Sequence, residues 1–410
     1  MKKFDIPHFY RSSFIAEIKN SRKSEDPKKN DFSPTLLDFG SVRFYLARHF
    51  GFCYGVENAI EIAYKTVEEH PDKRIFLLSE MIHNPGVNQD LEKLGVKFLM
   101  DTSGNQQINW DELNADDIVI IPAFGTTLEI EQILNAKGIN PYQYNTTCPF
   151  VEKVWNRAAE LGEQNVTVII HGKHFHEETR ATFSHSVRDS HSVIVLNLEE
   201  AEYLSSVILG EKSADDFYKY FEKKYSANFN VEDDLRRIGV VNQTTMLASE
   251  TQQIADLLKD TMIKKFGTEN LNEHFADTND TLCYATNDNQ EATYGLLKAK
   301  ADLAIIVGGY NSSNTGHIVE LCEEKLPSYF ISSEEKILSK DMIIHYDLKL
   351  KKEIESRNFL RDNIPLNILL TSGASCPDAL VESVLKKILS FYKGVRDIDE
   401  VVKEATFQIN

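Results

Sequence analysis

The sequence predicts an α/β protein made of three related units with mostly parallel sheets. One design occurs three times, a cysteine just ahead of a helical pattern: Cys53 in RHFGFCYGVENAIEIAYKT, Cys148 in NTTCPFVEKVWNRAAEL and Cys283 in DTLCYATNDNQEATYGLLK. About 18 to 22 residues past each cysteine comes an apolar run, RIFLLSE, VTVIIHG or LAIIVGG, with the length and β-branched content of a buried strand. Strand and helix patterns then alternate along the chain, as parallel βα units require. Pooling the ends of the three units places the thiols and the loops after the strands at a common centre.

Residues 1–40 are mixed in charge, and NSRKSEDPKKNDFSP has the composition of a flexible or extended connector, so an N-terminal extension packed loosely on the rest is expected. The first unit, 41–147, begins with the strand SVRFYLARHF, which delivers the chain to Cys53 between Gly51 and Gly55, as a tight strand-to-helix turn demands. The helix expected over 56–70 carries Ala59, Ile60, Ala63, Tyr64 and Val67 on one stripe and stops before Pro71. A loop around His83, helix LEKLG, strand VKFLM, strand DIVIIPAFGTT, helix LEIEQILNAKG and a short strand PYQYNTT complete it.

The second unit, 148–282, runs through helix VEKVWNRAAELG, strand VTVIIHG, the loop HGKHFHEETR, strand VIVLN, strand RIGVVNQTTM and helix SETQQIADLLKDTMIKKFG. A charged, aromatic-rich insertion near 199–234 has no counterpart elsewhere and explains why 135 residues separate the second and third cysteines but 95 the first and second. The third unit, 283–390, holds helix QEATYGLLKAK, strand LAIIVGG, loop YNSSN, strand PSYFIS, a charged stretch, strand LNILLTSGASCPD and helix ALVESVLKKIL, before a tail at 391–410. Three strand-end loops correspond, PAFGTT near Phe124, VNQTT near Gln243 and TSGAS near Ser375, and parallel units bind ligands at such strand ends.

With 45 basic and 63 acidic residues the net charge is −18, which argues against nucleic acid or an anionic membrane as partner, since both need a basic face. No run of 18 apolar residues suggests a membrane span, and the N-terminus lacks the pattern of a secretory signal, so a cytoplasmic protein with reduced thiols is expected. The five cysteines, at 53, 148, 283, 322 and 376, form no CxxC pair, which is wrong for a zinc finger or a close redox pair.

Taken singly, a cysteine is most often a small buried hydrophobe, and Cys322, inside the helical pattern HIVELCEEK, is read that way. The repeated turn position changes the reading for Cys53, Cys148 and Cys283, because a helix N-terminus stabilises the thiolate that a metal ligand must be. A structural zinc would need four ligands, whereas a 4Fe-4S cluster on three cysteines keeps one iron open to a substrate. Cys376 as a fourth ligand would make an electron-transfer cluster, but it breaks the repeat position.

The loop of the second unit carries His171, His174, His176, Glu177 and Glu178. It is either a surface or metal-binding histidine tract or, beside a cluster, a general-acid relay in which His176 and Glu178 face one site. Ser312, Ser313 and Asn314 in NSSN precede a helix, as Ser375 does in TSGAS. Such residues are simple caps or, with backbone N–H groups, an anion site suited to a phosphate or diphosphate. Thr244 offers one more hydroxyl. Two rival functions keep the thiols: a dehydratase that uses the iron only as a Lewis acid, and a non-catalytic cluster or zinc regulator.

The motifs GFCYGVENAI, EMIHNPGVN, TTCPFVEKVW, HGKHFHEET, NQTTM, CYATNDNQEA, VGGYNSSNT and SGASCPD closely resemble those of the LytB family of 4-hydroxy-3-methylbut-2-enyl diphosphate reductases, across 41–389. The resemblance implies a trefoil of three α/β domains around a 4Fe-4S cluster on Cys53, Cys148 and Cys283. It implies the last step of the methylerythritol phosphate isoprenoid pathway, in which the substrate's hydroxyl is reductively removed to give isopentenyl and dimethylallyl diphosphates, with an electron donor such as ferredoxin or flavodoxin. By the family motifs Glu178 is the implied proton donor, His176 and Thr244 lie near the reacting hydroxyl, and His83, Ser312, Ser313, Asn314 and Ser375 hold the diphosphate. One departure is Phe124, where many bacterial members have histidine. It looks like the plant and cyanobacterial branch, which also carries an N-terminal extension. Phenylalanine cannot donate to phosphate, so one contact is expected to be missing or moved.

Overall fold

The structure is a computed structural model that describes residues 4–278, 281–361 and 365–409. Asn279 and Asp280, in the run leading to Cys283, lie outside that set. Cα packing divides the chain into two compact units: Met1–Glu57 with His83–Val87 and Tyr284–Asn410, and Asn58–Ile82 with Asn88–Cys283.

In the first unit the apolar runs form a five-stranded sheet ordered Thr35–Asp38, Val42–Leu46, Leu366–Ser372, Leu303–Val307 and Ser328–Ile331. The first pair is antiparallel and the other three pairs are parallel, with Leu46 opposite Leu370 and Leu370 opposite Ile305. Every residue of Leu303–Val307 is buried, so both faces of that strand are covered, as its unbroken apolar run implies.

The N-terminal segment does not pack loosely, as its charge content suggested. Ser12 caps a helix, Ser13–Glu25, by accepting the Ile15 N–H at 3.1 Å, and Phe14, Ile15 and Ile18 lie in the core of this unit. The charges mislead because they are locally satisfied: the guanidinium of buried Arg22 bonds the Asp31 carboxylate at 2.9 Å and the Ser33 carbonyl at 3.0 Å. The tail adds a helix, Ile398–Ile409, which packs on Ser13–Glu25. The charged stretch before Leu366 holds an antiparallel hairpin, Met342–Asp347 with Lys352–Arg357, that the sequence reading did not assign.

The second unit contains two parallel sheets. Lys97–Phe98, Ile75–Leu77 and Ile118–Ile120 form one, and Ser192–Val195, Thr167–His171, Ile238–Asn242 and Phe275–Ala276 the other. Along Thr167–His171, Ile169 enters one apolar core while Val168 and Ile170 enter another, the two-residue alternation of a strand buried on both sides. The expected strand PYQYNTT does not form and leaves a single bridge between Ile121 and Asn145. Pro141 has no N–H for a ladder, and Asn140 turns the chain locally by accepting the Tyr142 N–H at 3.0 Å. The insertion near 199–234 is a packed subdomain of three helices, Leu198–Ile208, Ala214–Tyr220 and Val231–Asp234. Its Phe217 and Phe229 rings stack 5.2 Å apart and share a core with Val193 and Val195. Among the described residues no helix is long and apolar enough to cross a membrane.

Candidate active site

Each of the three repeated cysteines stands at the start of a helix: Tyr54–Glu69, Pro149–Glu163 and Tyr284–Leu296. Each also donates its backbone N–H to one of the matched strand-end loops: Cys53 to the Ala374 carbonyl at 3.1 Å, Cys148 to Ala123 at 2.9 Å and Cys283 to Thr244 at 3.4 Å. The two repeats found in the sequence are therefore one device, in which the loop after a parallel strand presents a carbonyl that seats a cysteine at the N-terminus of a helix other than the one that follows that loop. Cys53 belongs to the first unit, Cys148 and Cys283 to the second.

All five cysteines are thiols. Cys53 and Cys148 are partly exposed and Cys283 is 8% exposed, while Cys322 and Cys376 are fully buried, and burial pushes both of their thiols up to about 12. Burial disfavours the thiolate form that a metal ligand must take, so Cys322 and Cys376 are the weaker donors of the five. Within either unit, among the described residues, no three His, Cys, Asp or Glu side chains gather as a metal set. At the Cys53 turn Gly51 has φ +84°, and a Cβ there would lie 2.2 Å from Asp378 Oδ1, so the turn requires glycine.

In the second unit the helix Glu177–Ser186 follows the strand Thr167–His171. His176 is its N-cap, and its Nδ1 accepts the Glu178 N–H at 3.2 Å. A neutral His176 therefore carries its ring proton on Nε2, as a donor. Glu178 is 1% exposed, and its Oε1 accepts the N–H of Thr244, the residue whose carbonyl seats Cys283. One residue thus fixes both the acid and a thiol. Gln243, fully buried, holds this loop in place: its Oε1 accepts the Lys173 N–H at 3.1 Å and the Thr179 hydroxyl at 3.0 Å.

Phe124 sets its ring edge-to-face on His176, centroids 5.7 Å apart at 84°, so it fixes the imidazole by packing. The histidine tract does not act as a group. His171 is fully buried with Nδ1 2.9 Å from the Thr251 hydroxyl, and His174 is exposed. Glu177 lines a separate cavity with Ser79, Ser103, Thr126 and Arg180.

In the first unit Ser312 caps the helix Ser313–Glu323. Its oxygen accepts both the N–H of Thr315 at 3.3 Å and the Thr315 hydroxyl at 2.9 Å, which leaves the Ser312 O–H available to donate. Asn314, 3% exposed, accepts at Oδ1 from Asn289 Nδ2 at 3.2 Å and from the Ala374 N–H at 2.9 Å, while its own Nδ2 is buried with no partner. A buried donor left unmade at a helix N-terminus suits an acceptor-rich anion.

His83 and Asn84 are clamped beside it. The Ser375 hydroxyl donates to the His83 carbonyl at 3.1 Å, Asn84 Nδ2 donates to the Ser375 carbonyl at 3.0 Å, and a Cβ on Gly309 would come 2.2 Å from the His83 oxygen. Sequence reading missed Asn84 and Asn289. Thr286, Asn289, Gln290 and Thr293 form a buried polar face of the helix Tyr284–Leu296, which residue types alone do not reveal.

Fold and site together define an α/β protein whose parallel strand ends seat thiols beside a buried acid in one unit and beside an orphaned amide donor in the other. The chain belongs to the LytB protein family, whose profile matches residues 44–389. A 4-hydroxy-3-methylbut-2-enyl diphosphate reductase of Crocosphaera subtropica is 43% identical over 381 residues, 92% of this chain and 89% of that protein. One of Picosynechococcus sp. is 41% identical over 382 residues, 93% of this chain and 89% of that protein. Both are cyanobacterial, the branch to which Phe124 pointed. The solved structure of the E-1-hydroxy-2-methyl-but-2-enyl-4-diphosphate reductase from Plasmodium falciparum shares the fold, with a TM-score of 0.60 at 22% identity over 85% of this chain and 88% of that one.

Proposed function

We propose that this chain reductively removes the hydroxyl of 4-hydroxy-3-methylbut-2-enyl diphosphate to give isopentenyl and dimethylallyl diphosphates. The observation that carries the reading is the cysteine seat repeated on three strand ends, with Glu178 bound to the residue that seats Cys283 and the Asn314 amide bound to the residue that seats Cys53. The name shared by relatives above 40% identity supports it. The balanced reaction breaks the allylic C–O bond, consumes two electrons and two protons, and releases water.

Cys53, Cys148 and Cys283 are the residues that would hold a 4Fe-4S cluster, which supplies an open Lewis-acidic iron and the electrons, delivered in turn by a donor such as ferredoxin or flavodoxin. Glu178 supplies the proton that turns hydroxide, a poor leaving group, into water, and the Thr244 N–H holds its carboxyl in one orientation. His176 Nε2–H and Thr244 orient the reacting hydroxyl, with Phe124 bracing the imidazole in place of a donor histidine. Ser312, Ser313, Asn314, His83 and Ser375 form the diphosphate cradle. Ser375 takes part as a strut under His83, because its hydroxyl already donates to the His83 carbonyl. The sequence units 41–147, 148–282 and 283–390 each contribute one thiol, and the cytoplasm, which keeps thiols reduced, is the compartment this reading needs.

The test is anaerobic purification with iron and acid-labile sulfide analysis, followed by turnover with dithionite as sole reductant. About four irons and four sulfides per chain and formation of both diphosphates are expected. A protein that binds zinc, or that makes product without consuming reductant, returns the regulator or the dehydratase reading.

A further inference from the structure

We propose that Asn289 is a positioning residue of the anion cradle: it holds the Asn314 carboxamide with its Nδ2 donor turned toward the ligand, and so makes the cradle accept only acceptor-rich anions such as a diphosphate. This deepens the function proposed above and rests on it. The assignment of the amide is anchored by the backbone. The Ala374 N–H, 2.9 Å from the Asn314 side chain, can only donate, so the atom facing it is Oδ1. Asn289 approaches the same oxygen at 3.2 Å and must therefore present its own NH2. With two donors on Oδ1, a flipped Asn314 would set its NH2 against two N–H groups, and the flip is closed.

The remaining NH2 of Asn314 is buried without a partner, on a residue 3% exposed, in the first turn of an eleven-residue helix. A neutral ligand group that both donates and accepts gains less there than an oxyanion, because only its acceptor is used.

Asn289 also ties this donor to the thiol framework. It lies, 5% exposed, on the helix that begins one residue after Cys283, while the other donor to Oδ1 belongs to Ala374, whose carbonyl receives the Cys53 N–H. A side chain on a thiol-headed helix thus orients the cradle's amide without touching the ligand.

The experiment measures inorganic diphosphate binding by calorimetry, with kcat and KM, on the anaerobically loaded enzyme. Asn289→Asp keeps size but offers acceptors only, so Oδ1 of Asn314 loses one of its two donors and the new carboxylate competes for the Asn314 NH2 against the hold of the Ala374 N–H. We expect diphosphate Kd and substrate KM to rise about tenfold or more, with kcat within about threefold and the visible absorption of the cluster unchanged. Asn289→Leu, which adds no charge and serves if the aspartate variant does not fold, raises both by about threefold or more. In an Asn314→Leu background, Asn289→Asp adds nothing further, because its target is gone.

Unchanged Kd and KM in both Asn289 variants overturn the inference and leave the proposed reductase standing if the parent chain binds diphosphate and forms product. An undiminished extra loss from Asn289→Asp in the Asn314→Leu background also overturns it, by showing that the introduced carboxylate acts through its charge on the ligand. A parent chain that neither binds diphosphate nor forms product takes down both readings.

Discussion

Gly309→Ala probes the clamp on His83 with a single methyl group. The backbone at 309 does not require glycine's left-handed region, so the one obstacle is the His83 carbonyl, 2.2 Å from the added Cβ. Restoring ordinary contact moves that carbonyl by about 1 Å. The Ser375 hydroxyl bond to it, 3.1 Å, and the Asn84 bond to the Ser375 carbonyl, 3.0 Å, then both exceed hydrogen-bonding reach. At about 1 kcal/mol for each bond, the cradle loses about 2 kcal/mol of preorganisation, or about 30-fold in affinity. Titration of inorganic diphosphate by calorimetry and the substrate KM read this directly, with kcat changed much less. An alanine variant that binds diphosphate like the parent would show that the His83–Asn84 clamp does not shape the cradle.

Other substitutions separate acid, thiol and titration effects. Glu178→Gln keeps an oxygen for the Thr244 N–H and so keeps the fold, but turnover falls at least ~100-fold with the cluster's visible absorption intact; parental turnover would remove Glu178 from proton delivery. Cys322→Ala leaves iron and sulfide content unchanged, since this thiol is fully buried in the core, and iron loss would mean the ligand set is miscounted. His49 is held down to about 4, first by burial and then by the Arg48 guanidinium, whereas the unfolded ring protonates near pH 6.5. The unfolded chain therefore binds the extra proton, so this group costs no stability above about pH 6.5 and destabilises progressively as pH falls from there toward 4. Melting temperatures measured from pH 7.5 to 4.5 should fall less steeply in His49→Gln than in the parent, and identical slopes would dismiss the effect.

The fold was legible where burial was continuous. LAIIVGG, VTVIIHG and LNILLTS are apolar on both faces, so they could be assigned without knowing their neighbours. Composition alone misreads segment 1–40 because Arg22 and its acceptors neutralise one another only after folding. The helix-start position of the three thiols was legible from a repeated local pattern. The seats at Ala123, Thr244 and Ala374 were not, since a backbone carbonyl carries no residue-type signal. His171 belonged to the histidine tract by adjacency alone; strand alternation turns it into the core, against Thr251. The Asn289–Asn314 pair joins two helices 25 residues apart and depends on which amide atom faces which, a relation that appears only in three dimensions.

With the cluster proposed above on the three helix-start thiols, the split between two kinds of sulfur gives a practical gauge of its loading. Residues 322 and 376 are fully buried, and burial pushes both thiols up to about 12, so a maleimide or iodoacetamide applied to native protein is expected to modify at most the other three. Alkylation stoichiometry on the folded chain should accordingly climb from zero toward three as iron is stripped, and jump to five only on denaturation.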